Sequence, residues 1–124
     1  MKANELMIGD WISVMEIPAQ VFELSYDKEE KEMTIGILDP QGEVYSCYYG
    51  YDHVEPIPLT AEILEKNGFN ETFWGGEWTN NKVDFILIEH NDGFRVTNTN
   101  IVLSGVHQLQ HALRLCNIEK EIEI

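Results

Sequence analysis

The sequence has few basic residues. It contains 8 Lys and Arg against 22 Asp and Glu, a formal net charge of −14 in 124 residues. Nucleic-acid binding draws on clustered Lys and Arg to displace counterions from phosphates, and the sequence has no such cluster. Direct binding to DNA or RNA is therefore not expected. The acidity is spread, since residues 1–59 have 12 acidic and 3 basic residues and residues 60–124 have 10 and 5. Such a charge keeps a protein in solution; alternatively it attracts basic partners or imitates nucleic acid.

Cysteines and long apolar runs are also scarce. Cys47 and Cys116 stand far apart and match no zinc, haem or redox spacing, so we expect two buried small side chains in a reducing compartment. No stretch approaches the roughly 18 apolar residues of a membrane span. The first ten residues lack the apolar run of a signal peptide. These absences predict a cytoplasmic protein that binds no membrane.

Residues 1–59 consist of short alternating segments separated by turns. Phe22, Leu24 and Tyr26 alternate with polar side chains at the period of two of a half-buried strand. The segment Asp39-Pro40-Gln41-Gly42 has a type I turn signature. This part of the chain is predicted to form an SH3-like small β-barrel. Its five expected strands cover residues 11–14, 22–26, 33–37, 44–49 and 53–57.

Residues 60–124 are predicted to pack as one further unit, which begins with a short helix. Thr60 is a suitable N-cap and Gly68 lies where a left-handed C-cap residue belongs. Phe69 would then touch Leu64, the hydrophobic contact of a Schellman ending.

An antiparallel β-meander covered by a C-terminal helix is expected to follow, so the predicted fold class is α+β. Asn80-Asn81 and Asp92-Gly93 favour the turns between strands over residues 73–79, 83–90 and 94–97. A helix over residues 104–116 would bury one apolar face and expose the opposite one. The buried set is Val106, Leu109, Ala112, Leu113 and Cys116; the exposed set is His107, His111 and Arg114. The tail, residues 119–124, adds an edge strand or frays.

His107 and His111 are neighbours on one helical face, a spacing that can chelate zinc. A site needs a third ligand, and no positional reason favours His53, His90 or Asp92. Gln108 stands where the metalloprotease motif has Glu. The pair is therefore a candidate metal site, with two solvated histidines as the simpler interpretation.

Trp74 and Trp78 flank Gly76 and would share one side of a regular strand. Two indoles around a bare backbone can form a binding platform. The competing interpretation is that they fill the core beneath a glycine bend.

Four tyrosines surround Cys47, at positions 45, 48, 49 and 51. Alternate residues of a strand face opposite sides, so one or two should be exposed. Tyr48 and Tyr49 are candidate interface residues, since tyrosine is enriched in interfaces; ordinary strand packing explains them equally well.

Catalytic signatures are missing from the sequence. It has no Gly-x-Ser-x-Gly elbow, no phosphate-binding glycine loop and no known Cys–His pattern. We expect no catalytic residue and no cofactor.

Three segments together resemble a known family. They are Asn4 to Trp11 (NELMIGDW), Val54 to Phe69 (VEPIPLTAEILEKNGF) and Val106 to Gln110 (VHQLQ). The chain resembles short uncharacterised proteins of Bacteroides-type gut bacteria and of their prophages and mobile elements, in the same order over most of its length. The resemblance implies a bacterial cytosolic origin and a prophage or mobile-element setting, and it carries over no catalytic residue.

The main functional expectation is a non-enzymatic interaction factor that binds a protein partner through an aromatic patch. The alternatives are an acidic mimic that occupies a nucleic-acid-binding protein, and a small metal-dependent hydrolase that uses His107 and His111. The sequence leaves the choice between monomer and homo-oligomer open.

Overall fold

Five strands form in the first part of the chain, where apolar and polar side chains alternate. The computed structural model describes residues 5–50 and 52–124. Residues Met1–Ile57 form one compact unit, and this division lies two residues before the predicted one. Its strands are β1 (Trp11–Val14), β2 (Ile17–Asp27), β3 (Glu32–Leu38), β4 (Val44–Tyr48) and β5 (Val54–Pro56).

These strands make one antiparallel sheet in the order β4-β3-β2-β1-β5. The predicted SH3-like barrel is not confirmed, because the sheet does not close: β4 and β5 remain its two edges in the part of the chain that the structure describes. Among the described residues, the three-residue β5 pairs with β1 alone. The inward side chains form one apolar core: Leu6, Ile12, Val14, Ala19, Val21, Ile35, Ile37 and Cys47.

The inward face predicted for β2 is wrong over part of its length. The pairing with β3 shifts between Val21 and Glu23, so the strand bulges at Phe22. A bulge inserts one residue and reverses the alternation beyond it. Before the bulge Ala19 and Val21 are buried, Phe22 at the bulge is exposed, and beyond it Leu24 packs against the core. The Phe22 ring lies over Gly36, where an added Cβ would stand 2.9 Å from its Cζ atom.

The second unit, Pro58–Ile124, begins with helix α1 (Ala61–Lys66). Both predicted caps are confirmed. Thr60 Oγ1 accepts a hydrogen bond from the Ile63 amide, 3.3 Å away. Gly68 has φ +86°, and the amide of Phe69 donates to the Leu64 carbonyl at 2.9 Å, which is the Schellman pattern.

A second antiparallel sheet follows, with the order β10-β9-β8-β7-β6. The three predicted meander strands are present; the first two are shorter than expected and the third has its expected length of four residues. Each end of the sheet carries one additional two-residue strand. Asn80-Asn81 lies in a tight turn, in which the Val83 amide donates to the Asn80 carbonyl at 2.9 Å, although β8 begins only at Leu87. The Asn80 side chain is buried and donates to the Asn67 carbonyl at 3.1 Å. The strands are β6 (Asn70–Glu71), β7 (Glu77–Thr79), β8 (Leu87–His90), β9 (Gly93–Val96) and β10 (Val102–Leu103).

The last element is α2 (Val106–Leu115), which buries a wider face than predicted. His107 and Gln110 are buried together with Val106, Leu109 and Leu113. Of the other side chains expected to be buried, Ala112 is only partly buried and Cys116 is exposed. The helix begins two residues later than expected because Gln108 Oε1 accepts from the amides of Ser104 and Gly105, at 2.7 and 3.0 Å.

The C-terminal tail forms no strand, yet it is held in place. Ile122 is buried, and Glu123 is joined to Asn67 by two hydrogen bonds of 2.7 and 2.8 Å. Across the described residues, neither helix has the length and apolarity needed to cross a membrane.

Candidate interaction surfaces

The turn between β6 and β7 presents two aromatic side chains. Gly75 and Gly76 both have positive φ, +76° and +74°, which breaks the strand predicted through this segment. The amide of Thr72 donates to the Glu77 carbonyl at 2.8 Å, and the amide of Gly76 donates to the Glu71 carboxylate at 3.0 Å. These bonds fix the turn from both sides.

Phe73 and Trp74 form the tip of this hairpin. Phe73 is 95% exposed and Trp74 is 86% exposed. Their rings meet edge to face, with centroids 5.5 Å apart. Phe73 was not among the predicted site residues. The Gly-Gly pair after it is the sequence signal for a turn and could have identified the tip.

Trp78 does not join Trp74 in a binding platform, so the predicted pairing is wrong. Trp78 is only 2% exposed; its indole N–H donates to Glu89 at 3.4 Å and its ring packs edge to face on Phe94. The interpretation that the indole fills the core holds for Trp78 but not for Trp74. The left-handed glycines between the two residues end the alternation that would have placed them on one side.

The tyrosines around Cys47 differ from the expectation in which of them is exposed. Tyr48 is half-buried and donates its hydroxyl to Asp27 at 3.3 Å. Tyr49 packs against the core of the first unit, and burial, followed by the nearby Glu5 carboxylate, raises its pKa. Tyr45 is 51% exposed and is therefore available to a partner. Tyr51 lies outside the described residues.

A cleft of about 270 Å³ opens in the first unit between the β1–β2 hairpin and β4. Ala19, Ile37 and Cys47 are buried and form its floor. At its mouth stand three exposed apolar side chains, those of Met15, Ile17 and Tyr45. No local sequence pattern indicates this cleft, because its lining comes from four separate segments.

Two carboxylates, Asp39 and Asp52, line the same cleft. Each is oriented by backbone amides: Asp39 accepts from Glu43 at 2.8 Å, and Asp52 accepts from Tyr48 at 2.7 Å. Burial, and to a lesser extent the Asp52 charge, raises the pKa of the Cys47 thiol to about 11. The floor of the cleft is therefore uncharged at neutral pH, whereas the two carboxylates that line the cleft give it a fixed negative charge.

The two histidines of α2 lie side by side, with ring centroids 5.7 Å apart. His107 is buried, which corrects the expectation of two solvated histidines. No group of three or more His, Cys, Asp or Glu side chains within residues 5–50 and 52–124 is arranged to hold a metal ion. The metal-dependent hydrolase alternative therefore gains no support from the geometry.

Comparisons of the chain with protein-family models, with curated proteins and with solved structures find no match.

Proposed function

We propose that this chain is a non-enzymatic interaction protein that inserts the Phe73–Trp74 hairpin tip into an apolar pocket of a protein partner. The exposure of these two adjacent rings is the observation that supports the proposal. Large aromatic side chains dominate binding energy at protein interfaces, and leaving two of them in water has a solvation cost. The turn hydrogen bonds hold the backbone in place before binding, so little conformational entropy is lost on docking.

The charge around the tip indicates the chemistry of the partner. Glu71 and Glu77 flank the turn, and the chain carries a net charge of −14. A pocket that accepts the tip would therefore have a basic rim around an apolar centre, because like charges across an interface oppose association.

The experiment is affinity capture from a lysate of the encoding organism, followed by affinity measurement with the recovered partner. We expect Trp74→Ala to weaken binding by about 30-fold or more, the effect of losing a hot spot worth about 2 kcal/mol. Trp78 is unsuitable for this test because it is buried, so replacing it would test folding.

Leu115→Ala is the matched control. Leu115 is 85% exposed on α2 in the same unit, so its replacement removes a similarly exposed apolar side chain away from the tip. A partner whose affinity survives the double replacement of Phe73 and Trp74 by alanine would contradict the proposal, as would the absence of any partner at high protein concentration.

We also propose the finer assignments of fold and setting. The pairing of β2 supports an SH3-like arrangement of the first unit. The beginning of this strand pairs with β1, and its remainder pairs with β3 both before and after a bulge. A reducing, cytoplasmic setting is supported by two free cysteines. The bacterial and mobile-element origin rests on the sequence resemblance alone.

An acidic mimic of nucleic acid is the second candidate, and the net charge of −14 favours it. It requires carboxylates in rows at the spacing of duplex phosphates. Its test is competition: the chain should displace duplex DNA from the captured partner, and retention of the DNA would count against it.

A further inference from the structure

The outer edge of β4 borders the cleft in the first unit and is unprotected. β4 has a single hydrogen-bonded neighbour, β3, within the described part of the chain. Proteins usually protect such an edge with lysine, proline or a covering segment, because unpaired backbone groups attract other strands. The β4 sequence, Val-Tyr-Ser-Cys-Tyr, contains no charge and no proline, and Val44 and Tyr45 are exposed.

The register of the sheet identifies the backbone groups that face outward. The amide of Tyr49 donates to the Met33 carbonyl at 3.0 Å, so in this antiparallel pair the backbone groups of Cys47 and Tyr45 also face β3. The backbone groups of Ser46 and Val44 point away from β3. The backbone groups of Tyr48 do so as well, and they form hydrogen bonds with Asp52. An added strand would therefore pair at Ser46 and Val44.

The cleft lies beside this edge, on the side where the sheet fails to close. Val14 lines the cleft and pairs with Val54 of β5, while Tyr45 and Ser46 line it from β4. Side chains of an added strand that share the face of Tyr45 and Cys47 would enter it. At about 270 Å³ the cleft is smaller than most small-molecule pockets and has room for one or two side chains.

The charges around the cleft select a cationic occupant. Asp39 and Asp52 line it, and Glu16 and Glu55 line an adjoining hollow that shares Met15 with it. Within the described ranges the lysines of this unit are Lys28 and Lys31, both in the turn at the far end of β2, and His53 lines the adjoining hollow with the two glutamates. A second copy of the chain would bring further negative charge, which opposes pairing of two β4 edges.

We propose that β4 and the cleft bind an extended basic segment of a protein partner as an added antiparallel strand. The segment places an apolar side chain over Cys47 and cationic side chains against Asp39 and Asp52. Backbone hydrogen bonds to Ser46 and Val44 supply affinity, and the cleft supplies specificity. This site lies on the first unit and is independent of the Phe73–Trp74 tip, so each can fail without the other.

The probe is the acetylated and amidated peptide Arg-Thr-Val-Thr-Arg-Thr, titrated into the full chain and followed by amide NMR shifts. Its Arg and Val side chains share one face of an extended strand, and its Thr amides face β4. We expect shifts at Ser46, Cys47 and Asp52, and binding at least about tenfold weaker for the Glu-Thr-Val-Thr-Glu-Thr peptide. N-methylation of the Thr residues should also weaken binding by about tenfold or more, with the protein unchanged.

Matched variants test each contribution. Ser46→Pro removes an outward N–H that does not bond to β3, so the edge strand should tolerate the proline. We expect this variant to bind the peptide at least about tenfold more weakly, whereas Ser46→Ala should weaken binding less than twofold. Asn keeps the acceptor oxygens that orient both loops, so the double change Asp39→Asn and Asp52→Asn should weaken binding about tenfold. Glu30→Gln, at the far turn, should change it less than twofold.

Several results would overturn the proposal. They are no binding at about 1 mM peptide, equal binding of the acidic and basic peptides, and full affinity of the N-methylated peptide. Concentration-dependent dimerisation that Ser46→Pro abolishes would show instead that a second copy occupies the edge.

Discussion

Alkylation of Cys47 gives a direct test of the environment at the floor of the cleft. Only the thiolate reacts, and burial together with Asp52 raises the thiol pKa from its ordinary value of 9.0 to about 11. At pH 8 this lowers the thiolate fraction about 100-fold. A thiolate of higher pKa is intrinsically more nucleophilic, and a Brønsted slope of about 0.4–0.5 recovers roughly six- to tenfold. The rate should therefore be about tenfold below that of an ordinary exposed thiol, before any slowing by restricted access.

The measurement is the rate of iodoacetamide modification between pH 7 and pH 11, by intact mass, in a Cys116→Ser background that removes the exposed thiol. The rate should still be rising steeply with pH above 9. Asp52→Asn keeps the acceptor for the Tyr48 amide but removes the charge, so it should increase the rate at pH 8. A rate that reaches its plateau with a midpoint at or below about pH 9, in protein shown to be folded, would refute the assigned environment.

The same pKa shift has a consequence for stability. The unfolded chain ionises Cys47 at lower pH than the folded chain does, so above about pH 9 the unfolded state has fewer bound protons. The contribution of Cys47 to the free energy of unfolding is therefore complete below pH 9 and is lost as the pH rises toward 11.

Two further predictions concern the second unit. Trp78→Ala should lower the free energy of unfolding by about 3–5 kcal/mol in urea denaturation because it removes a buried indole, whereas Trp74→Ala should change it by less than about 0.5 kcal/mol; similar losses would contradict the assigned burial. Asn67→Ala should cost about 2–4 kcal/mol because it removes three side-chain hydrogen bonds, to Ile63 and Glu123, and it should accelerate amide hydrogen exchange at Glu123. Unchanged exchange at Glu123 would show that the tail is held by other contacts.

The features that the sequence predicted well are those decided by neighbouring residues. Helix α1 is bounded by Thr60 and Gly68, whose preferences act within one turn, and the structure reproduces both caps. The α+β class and the antiparallel pairing follow in the same way from local alternation and turns.

The sequence-based predictions were wrong where a local irregularity changed which side chains of a strand or helix face the core. The bulge at Phe22 reverses the alternation of β2, and the Phe22 ring packs over Gly36 of the neighbouring strand, a contact that no local pattern reveals. The same reasoning applies to Trp74 and Trp78, since two left-handed glycines separate the exposed tip from the core tryptophan. His107 is buried because the covered face of α2 is wider than the stripe that its apolar residues mark.

The placement of the acidic residues bears on what the charge is for. Solubility alone does not explain carboxylates that line a cleft beside exposed apolar side chains. In the first unit, Asp39 and Asp52 are held by backbone amides at a cleft whose mouth carries Met15 and Ile17, 62% and 55% exposed. Fixed negative charge next to apolar surface favours a ligand that is both basic and apolar, such as a peptide segment. A mimic of nucleic acid needs no such apolar surface, so this juxtaposition favours recognition of a protein partner over imitation of DNA or RNA.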